Sequence, residues 1–194
     1  MPTGYHIDEQ DTMYFLTFQV VNWVDVFTRR DYNEIIINSL KYCQQNKDLK
    51  IYAFVIMSNH MHLIIQSGAN KLSQTIKEFK SFTAREILAI IKTNKESRKH
   101  WMLSLFKEAA KQHQRNKNFQ FWTHENHAEM IYSNSFFNQK VNYIHDNPVR
   151  AGIVTYPEDY FYSSAAIYSG KSNLLKIEYL EVGVEGHRTS RKIK

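Results

Sequence analysis

The sequence is poor in cysteine, proline and glycine. Of 194 residues, 1 is Cys, 3 are Pro and 6 are Gly. The lone cysteine, Cys43, excludes an intrachain disulfide framework and a cysteine-rich zinc site, which favours a reduced intracellular setting. So few glycines and prolines exclude a collagen-like or low-complexity chain. No apolar run approaches the ~20 residues that cross a bilayer, so we expect no membrane span.

The composition is that of a globular chain with an ordinary core. Hydrophobic residues make up 43% of the sequence, and 12 Phe, 12 Tyr and 3 Trp supply large side chains. A chain of this length is expected to form one domain. We place the domain at residues 1–170 and expect a polar, basic tail at residues 171–194.

The positive charge is concentrated in one part of the chain. The net charge is +6, but residues 71–117 hold 12 Lys and Arg and 4 Glu, a net charge of +8, and the rest carries −2. Such a region suits a polyphosphate partner, because each neutralised phosphate releases bound counterions. The same charges suit a solvent-exposed helix face, so charge alone leaves nucleic-acid binding open.

Hydrophobic periodicity predicts the element order β-α-β-β-α-β-α. Pro148 is expected to end the last helix, because the residue before a proline disfavours the α conformation. The first six elements match the ferredoxin-like split βαβ layout, an α+β fold with an antiparallel sheet and helices on one face, to which the last helix is added. Strands are expected at residues 13–21, 51–57, 60–66 and 119–131, and helices at residues 28–46, from 72 past 91, and 135–147.

Two histidines stand one residue apart in the third predicted strand. Because alternate side chains of a strand share a face, His60 and His62 project together, and Met61 and Leu63 point to the other side. Two imidazoles on one face can bind a divalent cation. The pair alone does not separate a metal site from two packed side chains. No cysteine lies nearby, which argues against structural zinc.

The last predicted helix carries a tyrosine on the side away from its apolar stripe. At ~100° per residue, Tyr143 lies ~160–200° from Val141, which should pack on the sheet. Lys140 and Asn147 share the side of Tyr143. A phenol, an ammonium and an amide oxygen can thus approach one point. Position alone favours a half-buried aromatic that covers the sheet edge.

Phosphodiester cleavage is the chemistry that uses all of these groups. A protonated phenol is a poor nucleophile, and a divalent cation helps by neutralising the phosphate and holding it in line with the attacking oxygen. Two imidazoles and an amide oxygen leave positions for phosphate and water, which favours Mg²⁺ or Mn²⁺. Covalent attack stores the bond energy as phosphotyrosine, so strand transfer needs no external energy source.

Several runs of residues resemble one protein family. Ile56-Met-Ser-Asn-His-Met-His-Leu-Ile-Ile65 resembles the HUH motif (His, bulky hydrophobe, His) of single-tyrosine transposases. Val141-Asn-Tyr-Ile-His-Asp-Asn-Pro-Val-Arg-Ala-Gly-Ile-Val154 resembles the tyrosine helix and following turn of the REP-associated tyrosine transposases. Residues 80–86 and 157–164 are similar to this family too. The resemblance covers residues 12–168.

The resemblance implies metal-dependent nicking and joining of single-stranded DNA, typically beside a hairpin. It implies that His60 and His62 are metal ligands, that Tyr143 is the nucleophile and that Asn147 takes the place of the third ligand. The implied products are a 5′-phosphotyrosine adduct and a free 3′-hydroxyl. Members of the family are monomers or homodimers, and the family implies a bacterial, cytoplasmic protein.

Basic residues outside the motifs are candidates for contacts to the DNA backbone. One lies on the last helix beside the tyrosine, one follows Pro148, and four lie in the basic region. They are Lys77, Lys80, Arg85, Lys92, Lys140 and Arg150.

Two rival functions remain open at this point. A domesticated relative would bind nucleic acid without turnover, but it would have no use for a phenol beside a metal. A metallohydrolase would activate water instead of Tyr143, but the sequence places no carboxylate general base near the histidines.

Overall fold

A computed structural model describes residues 6–93, 96–112, 118–172 and 174–180. Four strands form an antiparallel sheet in the order β2-β3-β1-β4. This is the strand order of the ferredoxin-like layout, and it confirms the predicted α+β fold. The strands are β1 (Tyr14–Gln19), β2 (Leu49–Ile56), β3 (His60–Ser67) and β4 (Glu129–Met130).

Five α-helices lie in the described part of the chain. No helix of these ranges is long and apolar enough to cross a membrane. Two of them are additional to the three predicted helices, because part of the polar stretch 94–118 forms a helix of its own and a short helix follows Ser164. The helices are α1 (Arg30–Asn46), α2 (Leu72–Thr93), α3 (Lys99–Lys111), α4 (Asn134–Arg150) and α5 (Ala165–Tyr168).

The sheet is covered on both faces. The helices α1, α2 and α3 share a large apolar cluster with one face, which includes Leu16, Met61 and Leu63. The added helix α4 covers the other face. Each fully buried side chain of this size contributes roughly 1.5–3 kcal/mol to folding. The smaller cluster under α4 consists of Met13, Phe15, Tyr52, Ala53, Val55, Met57, Ile64, Phe137, Val141 and Ile144.

The helix α4 begins at a capped end and continues past its proline. The Ser133 hydroxyl accepts a hydrogen bond from the Phe136 N–H (3.1 Å), which satisfies a donor of the first turn. The predicted stop before Pro148 is wrong, since α4 runs to Arg150 with Pro148 inside it. Pro148 is buried, and this packing offsets the backbone bond that its missing N–H cannot make.

The fourth predicted strand is mostly irregular. Only Glu129–Met130 forms a ladder with β1, although Thr17 N–H donates to the Asn126 carbonyl (2.9 Å) further along. The Lys80 ammonium of α2 holds the irregular part, because it donates to the Thr123 carbonyl (2.8 Å) and to Asn126 Oδ1 (2.5 Å). Burial lowers the pKa of Lys80 to about 8.

The outer edge of β2 is covered by the C-terminal part of the chain. Ile56 N–H donates to the Tyr162 carbonyl, and Ser164 N–H donates to the Phe54 carbonyl, both at 2.9 Å. The predicted tail from residue 171 also contacts β2 where the structure describes it, since Glu178 N–H donates to the Ile51 carbonyl (2.8 Å), and Leu175 is buried in the main cluster. Residues 181–194 lie outside the described residues.

Replacing Lys80 with methionine is expected to destabilise the fold by roughly 1–3 kcal/mol, because two partly buried oxygens lose their donor. Lys77→Met is the matched control on the same helix, where the exposed side chain predicts a change within ~0.5 kcal/mol. Urea unfolding measures both. Equal stability of the two variants would contradict the structural role of the Lys80 ammonium.

Candidate active site

The two histidines lie at the start of β3, on the sheet face that α4 covers. Their ring centroids are 4.9 Å apart. Alternation along the strand places Met61 and Leu63 in the opposite cluster, as the sequence predicts. His62 is only 5% exposed, whereas His60 is half-buried. The pair therefore forms a wall of a site that opens near His60.

Hydrogen bonds orient both rings. The Nδ1 atom of His60 lies 2.7 Å from Asn59 Oδ1. An amide oxygen only accepts, so Nδ1 carries the proton and Nε2 keeps its lone pair. The Nδ1 atom of His62 lies 2.8 Å from Thr17 Oγ1, on the residue opposite it in β1. A Thr17 hydroxyl that accepts from Nδ1–H leaves Nε2 of His62 for a cation.

A carboxylate supports the first of these bonds. Asp25 Oδ1 accepts from Asn59 Nδ2 (2.9 Å) and from the Ser58 hydroxyl (2.6 Å). Asp25 and Asn59 are 34 residues apart in the chain, so no local pattern marks this partner. Asp25, Asn59 and Thr17 are residues that sequence reasoning missed. The position of Asn59 directly before His60 was the one available signal.

Both imidazoles are neutral at physiological pH. Burial, together with the nearby His60 and Lys140, lowers the pKa of His62 to about 3. Burial also lowers the pKa of His60. The neutral ring is the form that can donate a lone pair to a metal.

The structure brings Tyr143 to the histidine pair. Its ring centroid lies 5.2 Å from that of His62, and the side chain is 38% exposed. The buried ring of Phe15 connects the two, because it stacks on His62 (5.4 Å, 20°) and meets the Tyr143 ring edge-to-face (5.9 Å, 77°). A phenol and two imidazoles therefore border one space at the end of the sheet.

The other predicted residues of α4 contact the tyrosine or its neighbour Phe15. The guanidinium carbon of Arg150 lies 5.4 Å from the Tyr143 ring centroid. The Lys140 ammonium lies 4.3 Å from the Phe15 ring centroid and 2.7 Å from Glu129 Oε1. Asn147 Nδ2 donates to the Tyr143 carbonyl (2.9 Å), so Oδ1 is the amide atom that can act as a ligand.

The four predicted DNA contacts of α2 lie on the other side of the sheet from α4. Lys77 and Arg85 are exposed, and Arg85 pairs with Glu86 at 3.0 Å. Lys92 is exposed, with its ammonium 4.4 Å from the Phe119 ring centroid. Lys80 is not exposed like the other three, because its ammonium donates hydrogen bonds to the irregular segment at Thr123 and Asn126. The structure does not bring these residues to Tyr143.

The donor set fits a divalent cation. Within the described ranges, no three His, Cys, Asp or Glu side chains form a cluster that could hold a metal ion. The candidate ligands are instead two neutral imidazoles and the amide oxygen of Asn147. Because both Nδ1 atoms make hydrogen bonds, Nε2 is the nitrogen of each ring that could coordinate a cation, as is usual for metal-binding histidines.

Comparisons with known proteins identify a family and a similar fold. A family model described as "Transposase IS200 like" matches residues 10–147. A solved structure described as "Structure of the REP associates tyrosine transposase bound to a REP hairpin" has a TM-score of 0.62 at 17% identity, and the match covers 99% of each chain. At this identity the likeness shows the fold alone. No curated protein matches the chain.

The lowered pKa of His62 predicts how the stability of the fold depends on pH. With the folded pKa at about 3 and the unfolded pKa near ~6.5, the unfolded chain binds more protons between these values. The contribution of His62 to stability is therefore complete above pH ~6.5 and is lost as the pH falls toward 3.

The ring resonances of His62, followed by NMR in metal-free buffer, should stay constant between pH ~5 and ~8. The same histidine in urea should titrate near pH ~6.5. A folded-state midpoint close to that of the urea sample would contradict the buried, neutral imidazole.

Proposed function

The chain belongs to the IS200-like transposase family, and we propose that it is a metal-dependent endonuclease and strand transferase for single-stranded DNA. The family supports DNA processing by an enzyme of this class. One observation carries the finer proposal. The Tyr143 ring centroid lies 5.2 Å from that of His62, which is one of two neutral imidazoles.

In the proposed reaction the phenolic oxygen of Tyr143 attacks phosphorus and the bond from phosphorus to the 3′ oxygen breaks. The phenol loses its proton, and the leaving 3′ oxygen gains one to become a 3′-hydroxyl. The strand end becomes a 5′-phosphotyrosine. Attack on this ester by another 3′-hydroxyl joins two strands and releases the phenol, so the covalent bond conserves the energy of the phosphodiester.

The residues around the tyrosine have separable roles in this proposal. Mg²⁺ or Mn²⁺ held by His60, His62 and Asn147 would neutralise the phosphate and hold it for in-line attack. Arg150, whose guanidinium carbon lies 5.4 Å from the Tyr143 ring centroid, would bind the phosphate beside the attacking oxygen. Phe15 stacks on His62 and also contacts Tyr143, so it positions these two rings relative to each other.

The proposed partner is single-stranded DNA that carries a hairpin. The basic region supports this proposal, since the exposed Lys77, Arg85 and Lys92 of α2 can contact the backbone beyond the site. The similar solved structure is described as bound to a REP hairpin, which suggests the same class of ligand for this chain. The protein would act as a monomer or a homodimer.

The tyrosine is tested with a pool of 3′-labelled oligonucleotides that carry a hairpin and randomised flanks, in the presence of Mg²⁺. The wild-type protein should form a labelled covalent adduct that denaturing gels resolve. Tyr143→Phe should abolish the adduct and lower cleavage at least ~10³-fold, because the nucleophile is gone, while DNA binding persists. Tyr156→Phe, at an exposed tyrosine after α4, is the matched control and should leave the adduct intact.

Two other outcomes of this experiment would assign a different function. Cleavage by Tyr143→Phe at the wild-type rate, without an adduct, would show that water is the nucleophile. Binding of the pool by the wild-type protein, with neither adduct nor cleavage in Mg²⁺ or Mn²⁺, would show a binding protein without turnover.

Asp25 is expected to support the metal through Asn59 and His60. Asp25→Ala should weaken Mn²⁺ binding, measured by titration calorimetry, by roughly 10- to 100-fold, because the imidazole loses its orientation. Asp25→Asn keeps an acceptor oxygen and should restore most of the affinity. Asp8→Ala, at an exposed carboxylate, is the control. Wild-type affinity of Asp25→Ala would rule out this positioning role.

A further inference from the structure

An exposed indole borders the histidine pair. Trp23 is 60% exposed, and its ring centroid lies 5.9 Å from that of His60 in an edge-to-face contact of 77°. The His60 ring in turn meets the His62 ring at 4.9 Å, which meets Tyr143 at 5.2 Å. The four rings thus form a row that begins at the exposed indole and ends at the phenol.

The turn that presents this indole adopts a costly backbone conformation. Asn22 and Trp23 both have φ of +54°, in the left-handed region that residues with a side chain seldom occupy. The flanking Val21 and Val24 are buried. Val21 N–H also donates to the Phe121 carbonyl (2.9 Å). Buried neighbours therefore hold the strained turn in place with the indole directed outward, and such strain is a frequent property of ligand-binding turns.

A basic residue, Arg98, lies close to this turn. The Arg98 guanidinium, just before α3, donates to the Asp25 carbonyl (2.9 Å), two residues beyond Trp23. The segment that carries Arg98 belongs to the region of the chain with a net charge of +8. An aromatic face beside cationic side chains is the usual composition of a groove for single-stranded nucleic acid.

We propose that Trp23 is a stacking platform for the base of a nucleotide next to the scissile phosphate. This inference rests on the proposed function, because that function places the phosphate at His60 and His62. The indole touches His60, so a base stacked on it belongs to the nucleotide at the scissile phosphate or to the neighbouring one. Stacking accepts any base, so Trp23 contributes affinity and position and leaves sequence choice to other contacts.

The test is a double-mutant cycle between the indole and the DNA base. The DNA is the best-cleaved oligonucleotide from the hairpin pool, made with an abasic site at each nucleotide around the cleavage position. Binding is measured by fluorescence anisotropy in the Tyr143→Phe background, where the strand stays intact. One abasic position should weaken binding roughly 5- to 150-fold when Trp23 is present. The same abasic site should cost almost nothing further once Trp23→Ala has been introduced.

Two further variants make the cycle specific. Trp23→Phe keeps an aromatic face and should preserve the dependence on that base. Trp101→Ala removes another exposed indole, 52% exposed on α3, and its effect should be additive with every abasic site. Urea unfolding of each variant verifies that the fold is intact.

The outcomes separate this inference from the proposed function. If the wild-type protein nicks the oligonucleotide through Tyr143 and the effects of Trp23→Ala and of every abasic site are additive, the inference is wrong and the proposed function stands. If the wild-type protein cleaves no oligonucleotide, the proposed function and this inference are both wrong. If Trp23→Ala instead dissociates a dimer and leaves DNA affinity unchanged, the indole belongs to a contact between copies and the inference is wrong.

Discussion

The pairing of β1 with β3 is the constraint on which the site depends. Thr17 lies opposite His62 in this ladder and bonds its Nδ1 atom, and Phe15, two residues away on the same face, stacks on the same ring. Phe15 also meets Tyr143, so one buried ring aligns the sheet with α4. A register shift of one residue would turn Thr17 and Phe15 to the opposite face and leave His62 without either contact.

The loop before α1 is fixed by an ion pair with Glu96, which is distant from it in the chain. Glu96, with a side chain that is 1% exposed, pairs with Arg29 (2.8 Å) and Arg98 (3.3 Å). Burial opposes ionisation of this carboxyl, but hydrogen bonds from Arg98 and the charge of Arg29 lower its pKa below the usual value. Arg98 also bonds the backbone of Asp25, which supports His60 through Asn59. Packing of α3 is thereby connected to the orientation of a proposed metal ligand.

Local patterns predicted the elements that carry the proposed chemistry, but not their supports. Alternation in a strand is enough to place His60 and His62 together, and helical periodicity is enough to turn Tyr143 away from the apolar stripe. The course of α4 through Pro148 depends on burial that no local rule contains. The sequence predicts that Lys80 is a surface cation. In the structure its ammonium donates hydrogen bonds to a segment about 45 residues further along the chain. Contacts of that kind depend on tertiary packing, which a single sequence does not display.

The covered edge of β2 has a consequence for self-association. The backbone groups of Phe54 and Ile56 on that edge already bond Ser164 and Tyr162, and Ile51 accepts from Glu178 N–H (2.8 Å). A second chain cannot extend the sheet there unless it first displaces this covering segment. Fibril growth by strand addition at β2 would therefore require local unfolding of the C-terminal part, so truncation before residue 160 would create an aggregation-prone edge.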